Sequence, residues 1–205
     1  MTNFYEFMIL IPLIFLILFL SLIVWIHNAR KYISSKTVAS AYDAWTQDKL
    51  LERLWGEHIH LGFYPTDKKN LDFREAKVNF VHELVMWSGL DKLPKGSRIL
   101  DVGCGIGGSS RILARHYGFN VTGITISPAQ VKRARELTST GLNCNFQVMD
   151  ALDLKFEDGS FDAIWSVEAG AHMNDKKKFA DEMLRTLRPG GYLALADWNS
   201  RDLRI

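Results

Sequence analysis

Hydrophobic positions along the chain fall into three regimes. Residues 8–26 read MILIPLIFLILFLSLIVWI, apolar on every side and free of charge. As a helix they would reach roughly 28 Å, about one hydrocarbon core. Trp25 stands at one end of the run, where an interface suits an amphipathic ring. A cleaved signal peptide matches less well: no Lys or Arg precedes the run, and no small-residue cleavage site follows it. A core helix would show one apolar stripe instead. Glu6 is the charge before the run, whereas Arg30, Lys31 and Lys36 follow it closely. The expectation is a single-pass transmembrane anchor over residues 1–30, inserted through residues 8–26, with the remaining chain on the cytoplasmic side.

The second regime has helical spacing. Tyr42, Trp45, Leu51, Leu54 and Trp55 can share one broad face of a helix over residues 42–55, and Val78, Val81 and Val85 one side of a helix over residues 73–87. A polar linker over residues 31–36 and an aromatic loop over residues 56–69 separate these pieces, so that residues 31–95 form a linker and helical cap. From residue 96 onward the period changes. Short apolar runs at residues 98–102, 120–126, 146–149, 161–167 and 192–197 read as strands. Helices fall between them: one from the glycines to about Tyr117, one opened by the capping box Ser127-Pro128-Ala129-Gln130, and one over residues 175–187 with Phe179, Met183, Leu184 and Leu187 inward. Strands alternating with helices predict an α/β fold with a parallel sheet covered by helices.

Composition changes this picture little. Hydrophobic residues are 47% and charged residues 23%, which excludes a disordered or collagen-like chain. Lys plus Arg number 25 against 23 Asp plus Glu, so a net charge of +2 gives no electrostatic case for nucleic acid. Mean hydropathy is −0.04, too polar for a multi-span membrane protein. Cys104 and Cys144 cannot make a disulfide framework and read as free thiols.

The candidate chemistry begins at ILDVGCGIGGSS. Gly103, Gly105 and Gly108 satisfy G-x-G-x-x-G between a strand and a helix, a pattern that dinucleotide-binding folds share. Asp101 discriminates between them. A carboxylate at the strand end is awkward for a pyrophosphate and suits a cationic ligand. With Gly107 included, D-x-G-x-G-x-G resembles the signature of Rossmann-like S-adenosyl-L-methionine-dependent methyltransferases. The resemblance covers residues 99–197 and includes LRPGG before the fifth strand. It implies that Asp101, Gly103, Cys104, Gly105 and Gly107 approach the cofactor, that Thr125 and Gln130 meet the ribose, and that Asp150 and Ala151 meet adenine. Thr125 departs from the acidic residue frequent at that place. An NAD-dependent oxidoreductase is the rival reading, opposed by Asp101.

Tyr42, Trp55 and Tyr64 could lie over a sulfonium as cation–π partners. His58 and His60 have a metal-capable spacing but no third ligand, and no metal is expected. Glu168 and His172 follow the fourth strand, at the carboxyl edge where open α/β sheets bind ligands. With YDAWT, WGEHIHLG, GITISP and SVEAG, the chain is similar to the cyanobacterial 2-methyl-6-phytyl-benzoquinol methyltransferases and their tocopherol methyltransferase relatives. That likeness implies ring C-methylation of a membrane-resident prenylated hydroquinone; γ-tocopherol O-methylation and sterol C-methylation are the alternatives. A histidine near neutral pH can take a phenolic proton, which makes His172 and then His58 the candidate bases, with Glu168 orienting. Cys104 is not needed as a nucleophile, because transfer from a sulfonium is direct. The family's sheet has seven strands and five are predicted here. A C-terminally truncated domain over residues 96–205 is therefore expected, with a membrane-tethered cofactor-binding module as the non-enzyme alternative.

Overall fold

A computed structural model describes residues 2–29, 35–66 and 70–199. The chain divides into two units, Met1–Thr37 and Val38–Ile205. The first holds helix α1, Thr2–Ala29, with Pro12 inside it. Its apolar side chains are exposed from Leu10 to Trp25.

Three expectations about this segment change. Among the described residues no helix is long and apolar enough to cross a membrane. The transmembrane anchor, the membrane as a partner through residues 8–26 and the single-pass localisation are corrected accordingly. Arg30, Lys31 and most of the linker expected over residues 31–36 lie outside the described residues, as do residues 67–69 of the aromatic loop.

The second unit is built on a sheet. Helices α2, Ser35–Gln47, and α3, Leu50–Trp55, replace the single helix expected over residues 42–55. The break falls at Lys49, whose φ of 56° is left-handed. Its apolar face is not sealed either, since Trp45, Leu54 and Trp55 stay exposed. Helix α4, Phe73–Ser88, is capped by Asp72, whose side chain accepts from the Arg74 and Glu75 amides, and stops at Gly89 in the left-handed region.

Strand β1, Arg98–Val102, leads through the glycine loop into α5, Gly108–Tyr117. β2, Asn120–Thr125, leads into α6, Pro128–Leu137. Then come β3, Cys144–Val148; β4, Phe161–Val167; α7, Lys176–Thr186; and β5, Leu187–Ala196. The five strands are parallel in the order β3-β2-β1-β4-β5. Central β1 pairs Ile99 with Val121 on one side and with Ala163 on the other.

Successive residues of the central strands feed opposite cores, as a period of two requires. Ile99, Ala163 and Trp165 pack with Val81, Val85, Leu113 and Phe119. Leu100, Val102 and Ile164 pack with Ile124, Phe179 and Met183. Burial on both faces explains why apolar residues stand next to one another in β1 and β4 instead of strictly alternating with polar ones. Leu184, expected inward, is exposed.

Candidate active site

Parallel strands direct their carboxyl ends to one edge, and most of the candidate side chains gather there. Asp101 is buried, and its Oδ2 accepts from the Ser110 hydroxyl at 2.6 Å. Burial pushes its carboxyl up to about 7, partly offset by the Ser110 bond. A group poised there changes charge readily when a cation arrives.

The glycines divide by what surrounds them. A Cβ on Gly103 would lie 2.4 Å from the Ala169 Cβ, and one on Gly107 would lie 2.6 Å from the Phe146 ring. At Gly105, with φ of 56°, the nearest atom would be Gln130 Nε2 at 4.0 Å. Gly103 and Gly107 are therefore required by packing, whereas Gly105 faces space that a ligand can enter. Cys104 is buried; its amide donates to the Ile124 carbonyl, and burial holds its thiol well above the usual range. The thiol is thereby kept out of nucleophilic chemistry.

At the end of β2, Thr125 donates to Gln130 Oε1 at 2.6 Å. Only half of the capping box forms. Ser127 Oγ accepts from the Gln130 amide, but the Gln130 side chain turns away to Thr125. Asp43 Oδ1 accepts from Ser127 Oγ at 2.5 Å and from the Ala129 amide at 3.0 Å. An open cleft of about 340 Å³, counted with the solvent it meets, is lined by Tyr42, Trp45, Ile59, Ile106 and Gln130 among others. After β3, Asp150 accepts from the Leu152 amide and Ala151 is buried.

Across β1, the Tyr42 hydroxyl lies 2.8 Å from His172 Nε2, and the two rings meet edge-on. Burial, with the Glu168 charge second, raises the Tyr42 phenol. Burial lowers His172, against the pull of Asp197. The tautomer that fits is a phenol donating to a neutral imidazole. Glu168 has φ of 53°, a left-handed conformation that costs a non-glycine residue about 1–2 kcal/mol. Its Oε1 accepts from the Leu61 amide at 3.0 Å.

Three candidates part from this group. His58 is buried against Gly108, its Nδ1 is 3.1 Å from His60 Nε2, and burial takes it down to about 3. A ring so disfavoured as a cation is a poor proton acceptor. Trp55 is turned toward Lys77, whose Nζ lies 5.8 Å from the ring centroid and donates to the Trp55 carbonyl. A ring facing an ammonium is a poor cover for a sulfonium, and Tyr64 stays exposed. Asp43 was not among the sequence candidates.

Residues 100–195 match the family described as "Methyltransferase domain". This stretch is a methyltransferase domain. The chain is 60% identical over 180 residues to the 2-methyl-6-phytyl-1,4-hydroquinone methyltransferase of Synechocystis, covering 88% of this chain and 57% of that protein. It is 43% identical over 164 residues to the chloroplastic tocopherol O-methyltransferase of Arabidopsis thaliana, covering 75% and 47%. The chain thus spans about half the length of the curated relatives it matches. Among solved structures, the [4+2]-cyclase SpnF aligns with a TM-score of 0.69 at 30% identity, over 78% of this chain and 58% of that one. A methyltransferase domain is therefore similar in fold to a protein named a cyclase, and function has to be argued from the site.

Proposed function

We propose that this chain is an S-adenosyl-L-methionine-dependent methyltransferase acting on a ring carbon of a prenylated hydroquinone. The observation that carries the reading is the 60% identity, over 88% of the chain, to a hydroquinone methyltransferase. The lower identity to a tocopherol O-methyltransferase favours carbon over oxygen as the acceptor atom.

The residues fit the cofactor. Gly105 leaves open space beside Gln130, and the perturbed Asp101 carboxyl ends the central strand. In this reading Asp101 answers the positive charge, Thr125 and Gln130 take the ribose hydroxyls, and Asp150 with Ala151 borders adenine. When bound, S-adenosyl-L-methionine supplies a methyl group already activated by the sulfonium.

What remains for the protein is to align the acceptor, exclude water and manage one proton. A hydroquinone carbon becomes more nucleophilic as its ring hydroxyl loses a proton. Tyr42 Oη and His172 Nε2 form a path for that proton, with His172 as its holder. Burial suits both groups to the task, keeping the phenol protonated and the imidazole neutral near pH 7. Glu168 ties the strand end to Leu61.

The test is to incubate the full chain with methyl-labelled cofactor and 2-methyl-6-phytyl-1,4-hydroquinone, and to locate the label in the product. Label on a ring carbon is expected. Label on oxygen, or cofactor binding without transfer to any prenylated hydroquinone, overturns the reading.

A further inference from the structure

Neighbouring residues on a helix diverge by about 100°, and α2 uses that divergence. Tyr42 reaches His172 beyond β4, while Asp43 reaches Ser127 and Ala129 beyond β2. In the sheet, β2 and β4 flank β1 on opposite sides. Helix α2 therefore straddles the glycine loop, fastened on both flanks by consecutive residues.

The Asp43 end is chemically well made. A helix begins with unpaired amides. Pro128, first in α6, has no N–H, so Ala129 supplies the next donor and Asp43 accepts it. Ser127 accepts from the Gln130 amide while donating to Asp43, which links the carboxylate to the residue lining the cleft. A carboxylate is also favoured at a helix N-terminus, and its hydrogen bonds are charge-assisted. Helix α3 has its own tie to α6, through Glu52 and Arg133 at 2.6 Å. The two helices are separated by the left-handed Lys49, so the α3 tie does not fix the orientation of α2.

We propose that Asp43 is a positioning residue: by binding Ser127 and Ala129 it sets the angle of α2 that holds Tyr42 against His172. Its effect on the acceptor side passes through Tyr42 and not through any contact of its own. The catalytic consequence rests on the proposed function, but the placement does not.

The experiment reads His172 directly and needs no acceptor. The full chain is labelled with 15N-histidine, His172 is assigned with His172→Gln, and its nitrogen shifts are followed against pH. Tyr42→Phe defines the change produced by losing the hydroxyl. Asp43→Ala is expected to reproduce that change, and the double variant to add nothing to it. Asp43→Asn, which keeps an acceptor oxygen without the charge, is expected to restore most of the parent signal. If Asp43→Ala does not fold, Ser127→Ala carries the same expectation at smaller size, since it removes one of the two partners. Unchanged His172 shifts in a folded Asp43 or Ser127 variant overturn the proposal and reduce Asp43 to a helix cap. Additive effects of Asp43→Ala and Tyr42→Phe at His172 overturn it as well.

Discussion

The Tyr42 hydroxyl and His172 Nε2 lie 2.8 Å apart across 130 residues of sequence. The pairing joins a helix that precedes the sheet to the short turn after β4, and burial tunes its members in opposite directions. The phenol is held protonated and the imidazole neutral.

His172→Gln is expected to lower turnover with a prenylated hydroquinone by about 10²–10⁴-fold, the range for a general base. Tyr42→Phe should lose less, about 10-fold or more, because the imidazole remains. Cofactor affinity, read by calorimetry, should stay within a few-fold in both. Loss of cofactor binding in His172→Gln would move His172 to the cofactor side.

Asp101 governs a pH dependence of stability. In the fold its carboxyl keeps a proton up to about 7, against an ordinary value of 3.8 when unfolded. Between about pH 4 and 7 the folded chain thus binds the extra proton, and its stability falls as pH rises through that window. His58, lowered to about 3, works the other way: its contribution is lost as pH falls from about 6.5 toward 3. The two trends oppose each other in the parent. Asp101→Asn should remove the first alone, so that denaturant unfolding shows the variant gaining on the parent from pH 4 to 7. A constant difference across that range would contradict the burial of a protonated Asp101.

The glycines should separate by experiment. Gly105→Val should weaken cofactor binding by at least tenfold while the fold survives, apart from about 1–3 kcal/mol of backbone strain. Gly103→Ala should instead lower the melting temperature sharply, because its methyl meets the Ala169 Cβ at 2.4 Å. Thermal unfolding alongside calorimetry distinguishes the two effects, and equal cofactor affinity in folded Gly105→Val would remove that glycine from the site.

Trp165 is wholly buried, and its Nε1 is the buried side-chain polar atom without a partner among the described residues. An unsatisfied donor offsets part of what the ring contributes. Trp165→Phe should therefore cost under about 2 kcal/mol in denaturant unfolding, below the about 3–5 kcal/mol usual for truncating a core Trp to Ala. A larger loss would mean that the indole nitrogen is paired in solution.

How far the sequence could be read depended on the range of the interactions. Strands β1 and β4 were legible to the residue, because apolar runs bounded by glycine turns can pair in few other ways. The glycine loop was legible as a loop, but which glycine faces open space depends on Phe146 and Ala169, which are distant in sequence. The break at Lys49 had no glycine to announce it. Trp55 read as a cation cover, yet the cation beside it is Lys77, on another helix. Asp43 gave one faint signal only: the Ser-Pro-Ala start of α6 leaves a donor at Ala129 that some acceptor has to meet. Its partner lies 86 residues away, beyond the reach of local periodicity.

The strand order β3-β2-β1-β4-β5 also has a consequence for synthesis at the ribosome. The sheet starts at its centre and grows outward, first to one side and then to the other. Each strand after the first has a hydrogen-bonding neighbour that has already emerged: β1 for β2, β2 for β3, β1 for β4 and β4 for β5. Among the described strands, none has to wait for a later one. The nascent chain can add each strand to a neighbour already made as it appears.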